Sequence, residues 1–213
     1  VIGVLMAASQ YEMRKILSYH IISQVGYMLM GLGLFTVAGV AGAIYYMVHN
    51  MIAKTAAFLA AGMVHRLRGT YELTSLGGLY ARKPFHALLF LLPAMSLAGI
   101  PPLSGFVGKM YLVYAGLNAS QYVITAVAIL VSLLTLFSML KIWNEVFWKP
   151  APEENPGNPP APGIPWTMTL PLAIMALLTL LLGVAGGPVI GWTVTAAEGI
   201  MNPAAYIDAV LKP

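Results

Sequence analysis

Two lysines, Lys54 and Lys109, sit in the middle of long apolar runs, YYMVHNMIAKTAAFLAAGMV and SLAGIPPLSGFVGKMYLVYAGL. An ammonium held near the midplane of a bilayer is costly, so residues of this kind generally lie on ion or proton paths. Neither lysine has an acidic residue in its own run. Each must therefore lose its proton, meet water or borrow a carboxylate from elsewhere. Asn50 and His49 precede Lys54 by one turn and slightly more. Helical geometry puts Asn50 on the face of Lys54 and turns His49 about 140° away. A histidine changes charge near neutral pH and can exchange a proton with a lysine through water. His20, close to Arg14 and Lys15 and beside Ser23 and Gln24, is either an inlet relay for cytoplasmic protons or an interfacial polar residue. Lys109, Lys54, His49 and His20 together describe proton handling inside a membrane.

The elements that must position these residues follow from composition. The chain is 59% hydrophobic and 8% charged, with mean hydropathy +0.81. Soluble domains average about 25% charged residues, so this chain belongs in lipid. Its pI near 9.3 rests on a net charge of only +4 with no basic stripe, which excludes nucleic acid as a partner and points to membrane lipids instead. There is no cysteine, hence no disulfide or thiolate metal site. Four scattered histidines lack zinc-like spacing, no glycine loop fits a phosphate, and the thirteen methionines are packing material rather than a copper site. No cofactor and no metal is expected.

The expected fold is all-α, a polytopic bundle of transmembrane helices. Residues 1–10 are apolar but cover only about 15 Å, half of a bilayer core, which reads as the end of a helix that starts earlier in a longer subunit. Spans follow at 16–35, 41–64 and 122–147, and a last one at 166–185. Residues 84–117 form one more, interrupted at Pro101 and Pro102. Two prolines cannot both sit in a helix interior. The run therefore splits into half-helices, 86–98 and 103–117, of about 20 and 22 Å. Broken helices at membrane depth are tolerated where they line a cavity or are buried in protein. Lys109 lies two turns beyond the break, and Gly105 and Gly108 leave room around it. Residues 65–83 form a polar loop, 148–165 a proline-rich linker, and the tail after 185, with Glu198 and Asp208, an interfacial helix.

Arg14 and Lys15, then Arg66, Arg68, Arg82 and Lys83, then Lys149 fall on alternate connections; the connections at 36–40 and 118–121 carry no charge. The positive-inside rule makes the basic side cytoplasmic and leaves the C-terminus outside, in a multi-pass protein of the cell (inner) membrane. Lys141 and Glu145 are spaced for an i,i+4 ion pair in an aromatic belt, and His65 and His86 flank the cytoplasmic loop as solvated side chains.

Three segments, MRKILSYHIISQVGYMLMGLGL (13–34), HNMIAKTAAFLAAG (49–62) and SLAGIPPLSGFVGKMYLVYAGL (96–117), resemble the second half of the antiporter-like subunits shared by complex I and Mrp-type cation/proton antiporters. The stretch LLTLFSMLKIWNEVFWKP and the ending NPAAYIDAVL are most similar to the D-type Mrp subunits. The resemblance implies a subunit of fourteen helices with two inverted repeats. This chain would hold the end of the ninth helix onward, with the second repeat in 1–147, a cytoplasmic linker at 148–165, and the last helix and tail in 166–213. It implies that Lys54 is the central lysine of the eleventh helix and Lys109 that of the broken twelfth. Where the family often places histidine, one turn before the first lysine, Asn50 stands here, with His49 beside it. The implied function is proton translocation coupled to sodium export in a multi-subunit Na+/H+ antiporter, a transporter rather than an enzyme. The alternative is a proton-pumping arm of a complex I-like redox complex or membrane-bound hydrogenase, which would make it part of an NADH:quinone oxidoreductase. The implied partners are protons, sodium, the other subunits and the missing first half of the same subunit, which should supply the absent acid.

Overall fold

A single 32-residue helix, α3 (Val37–Arg68), forms the axis around which the rest of the chain is arranged. The structure, a computed structural model, describes residues 1–152 and 163–211. Thr36 starts α3 by accepting a hydrogen bond from the Gly39 amide, and Gly69 ends it after a last turn that carries His65, Arg66 and Arg68. Cations there face the negative end of the helix dipole. At about 48 Å, α3 outruns a bilayer core of about 30 Å, longer than the 41–64 expected from hydropathy. Ala53, Ala56, Ala57, Ala60 and Ala61 are all buried. Such a small-residue stripe lets neighbouring backbones approach closely, which is how helices associate without a hydrophobic drive between them.

Around α3 stand α1 (Ile2–Ser9), α2 (Met13–Gly33), the short α4 (Leu79–Arg82), α5 (Pro84–Ala98), α6 (Ser104–Asn118), α7 (Tyr122–Trp143), α8 (Trp166–Val184), α9 (Gly186–Met201) and α10 (Ala204–Leu211). Helices α2, α5, α6, α8 and α9 pack directly on α3. The 166–185 and 122–147 spans appear almost as expected, the latter ending in a widened π turn over Asn144–Trp148. Among the described residues, three helices are long and apolar enough to cross a membrane: Val37–Arg68, Tyr122–Trp148 and Trp166–Val184. Helix α2 has the length, 21 residues, but carries His20, Ser23 and Gln24, all buried against its neighbours. Helices α5 and α6 are 15 residues each and form one interrupted crossing.

The basic connections gather at one end of the bundle. Met13 and Leu73 donate backbone hydrogen bonds to Tyr71 and Tyr11, and Glu12 bridges Glu72, so the 65–83 loop is fastened to the α1–α2 corner. Lys149 reaches the same loop through Thr74 O (3.0 Å), and its own carbonyl accepts from Gly78 N (2.6 Å). Glu12 pairs with Arg14 (2.9 Å) and Lys15 (3.4 Å). Most of the proline-rich linker, residues 153–162, lies outside the described residues. The tail after 185 begins with α9, whose Ala197 is buried with Val40 and Ala41 of α3, at the uncharged end.

Candidate functional site

The break between α5 and α6 is built by Gly99, at φ 91°, a left-handed conformation that glycine adopts without the cost a Cβ would carry. The Gly99 and Ile100 amides turn back onto Met95 and Ser96. The last two carbonyls of α5, on Leu97 and Ala98, thereby lack backbone donors among the described residues, as carbonyls at a helix end commonly do. Lys109 takes both. Its Nζ donates to Leu97 O (2.8 Å) and Ala98 O (3.1 Å), and its third proton goes to Ser132 Oγ on α7 (3.0 Å). The Tyr27 ring lies 5.1 Å from the same nitrogen. Every donor of the ammonium is used, at the negative end of a helix dipole and beside an aromatic face.

This seat was missed at the sequence level. The expectation that a buried lysine must be neutral, hydrated or paired with a carboxylate omitted a fourth solution, the open carbonyls of a broken helix. The double proline signalled the break; the reach of Lys109 back across it depends on the fold. The glycines also act differently from expectation. Gly105 lies against the Ser96 carbonyl so closely that a Cβ would collide with it, and Gly108 faces the Tyr45 and Tyr46 rings. They bring α6 against α5 and α3 rather than opening space around the lysine.

His49 is directed to the same break. Its Nδ1 meets Ser104 Oγ at 2.8 Å, Ser104 Oγ meets Ser96 Oγ at 3.1 Å, and Ser96 Oγ accepts from Gly105 N at 3.1 Å. The imidazole lies 5.2 Å from the Tyr46 ring, which lies 5.1 Å from the Tyr27 ring. Tyr46 donates its hydroxyl to Gln24 Oε1.

Lys54 is equally buried, with 6% exposure like Lys109, yet among the described residues its Nζ has one acceptor, Leu17 O of α2 at 2.8 Å. The neighbouring Asn50 Oδ1 is buried without a partner among the described residues. Both residues line an outward groove with Ile21, Met51, Thr55, Phe58 and Leu59.

His20 lies within the bundle, fully buried, and both of its ring nitrogens lack a partner among the described residues. The Gln24 amide nitrogen and His49 Nε2 are likewise buried and unpartnered. The structure thus brings all four expected residues into one interior region on α2, α3 and α6, and adds Tyr27, Tyr46, Gln24, Ser96, Ser104 and Ser132.

The remaining expectations fare differently. Lys141 does not form the i,i+4 ion pair: it donates to Ala8 O (3.1 Å) and Gln10 O (2.7 Å) and stacks 3.6 Å above the Tyr11 ring. The open C-terminus of α1 offers it better acceptors, and Glu145 pairs with Lys149 at 3.1 Å across the π turn. His65 is exposed but stacked on Tyr71 at 4.3 Å, with Arg14 also over that ring. His86 Nε2 meets Thr169 Oγ1 of α8 at 3.1 Å, which ties a half-buried ring to the bundle.

The sequence profile described as "NADH:quinone oxidoreductase/Mrp antiporter, TM" matches residues 1–135. The chain is 47% identical over 210 residues to the D-type Na(+)/H(+) antiporter subunit of Alkalihalophilus pseudofirmus, covering 99% of this chain and 42% of that relative. It is 32% identical over 204 residues to the N-type NADH-quinone oxidoreductase subunit of Moorella thermoacetica, covering 95% of this chain and again 42% of the relative. Among solved structures, a chain of the Mrp complex from Dietzia sp. DQ12-45-1b superposes with TM-score 0.88 at 37% identity, over 99% of this chain and 47% of that one. The chain therefore spans less than half the length of the proteins it matches.

Proposed function

Because the chain belongs to the NADH:quinone oxidoreductase/Mrp antiporter family of membrane subunits, we propose that it carries a proton-conducting half of a sodium/proton antiporter subunit. In this reading residues 1–147 are the conducting repeat, 148–165 a cytoplasmic linker, and 166–213 the last span and an interfacial tail. The observation that carries it is the run of buried polar groups from the Lys109 seat, past His49 and His20, to Lys54 and the groove beside Asn50. Five buried polar atoms along it, His20 Nδ1 and Nε2, Gln24 Nε2, His49 Nε2 and Asn50 Oδ1, have no partner among the described residues. Buried polar atoms of this kind are normally satisfied by ordered water, the medium through which a proton passes between side chains too far apart to touch.

Protons move by alternation of Lys109 and Lys54 between charged and neutral forms, with His49 and His20 between them. His20 is thereby an interior relay rather than an inlet. The energetic scale is set by the membrane potential, about 2.3 kcal/mol for one charge across 100 mV, enough for an incoming proton to contribute work to sodium export. Lipid, the rest of the longer subunit and the other subunits of a Mrp-type assembly are its partners. The groove at Asn50 and Lys54 is the face where the remainder of the subunit brings its acid. The basic end is cytoplasmic and the C-terminus outside.

A second reading, a proton-pumping arm of a redox complex, draws on the likeness to an NADH-quinone oxidoreductase subunit. The same residues would conduct, driven by electron transfer in other subunits. The higher identity to an antiporter subunit favours the first. The neighbouring genes discriminate: antiporter subunits beside it support the first, redox subunits the second. The conducting role itself is tested by Lys109→Ala in the assembled complex, which should abolish sodium-dependent proton movement in membrane vesicles without loss of assembly. Undiminished movement would remove Lys109 from the path.

A further inference from the structure

Helix α7 carries four serine and threonine residues: Thr125, Ser132, Thr135 and Ser138. Three of them behave alike. Thr125 donates to Gln121 O (2.8 Å), Thr135 to Val131 O (2.8 Å) and Ser138 to Leu134 O (3.0 Å), each bonding the carbonyl four residues back along the chain. This back-bonding is the ordinary local solution for a hydroxyl in an apolar helix. Ser132 is the exception. Its hydroxyl crosses to α5, donating to Ala98 O at 2.9 Å while accepting from Lys109 Nζ at 3.0 Å. The carbonyl that Ser132 would otherwise use is Ala128 O, and Tyr27 of α2 holds that carbonyl with its hydroxyl at 2.6 Å.

We propose that Tyr27 and Ser132 form a two-position hydroxyl switch that seats and releases Lys109. With Tyr27 on Ala128 O, Ser132 is excluded from its own helix and turns outward to complete the seat. With Tyr27 withdrawn, Ser132 takes Ala128 O as its three neighbours take theirs. Lys109 then loses its side-chain acceptor and the aromatic face together. The two states differ by one serine rotamer and one tyrosine displacement, and rotamer wells of this kind interconvert readily. Ser132 is a positioning residue: it acts through the lysine and carries no proton across. The switch rests on the role proposed above for Lys109 and adds what controls the time the lysine spends at the helix break.

The test uses the full-length subunit in its assembled complex, with sodium-dependent proton movement measured in vesicles. Tyr27→Phe keeps the ring beside Lys109 and removes only the hydroxyl. It should free Ala128 O, let Ser132 fold back, and reproduce Ser132→Ala. Loss of one hydrogen bond to a charged group corresponds to roughly a tenfold slowing in each case. The double variant should be no slower than the slower single, because both changes reach the same released state. Ser132→Thr, which retains the hydroxyl, should keep most of the rate. Normal rates in Tyr27→Phe, a double variant slowed by the product of the singles, or failure of threonine to restore the rate would overturn the switch. Lys109→Ala serves as the reference. If it is inactive while Tyr27→Phe and Ser132→Ala are normal, the switch alone fails; if it is itself active, the conducting role of Lys109 fails with it.

Discussion

Lys109 and Lys54 are buried to the same degree in the same bundle, yet the two surroundings are built on opposite plans. Lys109 has an acceptor for each of its three protons, all within 3.1 Å, and its charge rests on the end of a broken helix. Lys54 has one acceptor among the described residues, an unsatisfied amide oxygen beside it and a groove open to the outside of the chain. The difference teaches where each charge is at home. A fully satisfied ammonium is a stable seat for a proton, and an incompletely satisfied one gives up its proton more readily. The chain spans 42% of an antiporter-subunit relative, and in the function proposed above the open site is the one that faces the remainder.

That contrast can be broken by substitution, first at the open site. Lys54→Ala should reduce sodium-dependent proton movement at least tenfold with assembly retained, because the groove would lose its titrating group. Vesicle assays on the full complex would show it, and rates within a factor of two of wild type would make Lys54 a structural residue. A smaller effect is expected where the two regions meet. His49→Ala and Ser104→Ala each remove one end of the 2.8 Å contact at the break, so each should slow transport and the double should be no worse than either. Multiplying effects would assign the two side chains separate roles.

Lys141 sharpens the comparison as a lysine outside the interior run. It also caps a helix C-terminus beside an aromatic ring, but at α1 and only partly buried. Lys141→Ala should leave transport per complex unchanged and lower stability by about 1 kcal/mol, the modest share expected for a charged hydrogen bond that solvent partly screens. Thermal unfolding of the purified complex would register it. A loss of transport instead would extend the proton path to α1 and α7. The smallest perturbation concerns orientation. In this cysteine-free chain, Thr70→Cys should react with a membrane-impermeant thiol reagent from the cytoplasmic side alone, and labelling from outside would invert the bundle.

Much of this arrangement was legible in the sequence because hydropathy and proline act locally. The spans, the break at Pro101–Pro102 and the central position of both lysines follow from runs of residues and the rise of a helix. What was not legible depends on which groups meet across the bundle. His49 looked like a companion of Lys54 because it is close in sequence; its ring instead joins Ser104 on α6. Lys141 looked like a partner of Glu145 at one-turn spacing, but the open carbonyls of α1, brought alongside by folding, outcompete it. His20, next to basic residues in sequence, lies in the interior because α2 is packed on α3. Ser132, indistinguishable by pattern from three other α7 hydroxyls, is set apart by its bonds across to Ala98 O and Lys109 Nζ, beside a carbonyl that Tyr27 holds.

The proton-carrying role of Lys109 is tested most directly by Lys109→Arg in the assembled complex. Arginine retains the positive charge and five donors for the carbonyls of the α5 end, but a guanidinium does not lose its proton in proteins. If Lys109 works by alternating between charged and neutral forms, the variant should assemble normally and show no sodium-dependent proton movement. Transport at the wild-type rate would contradict this, and would reduce the lysine to a fixed charge holding a broken helix together.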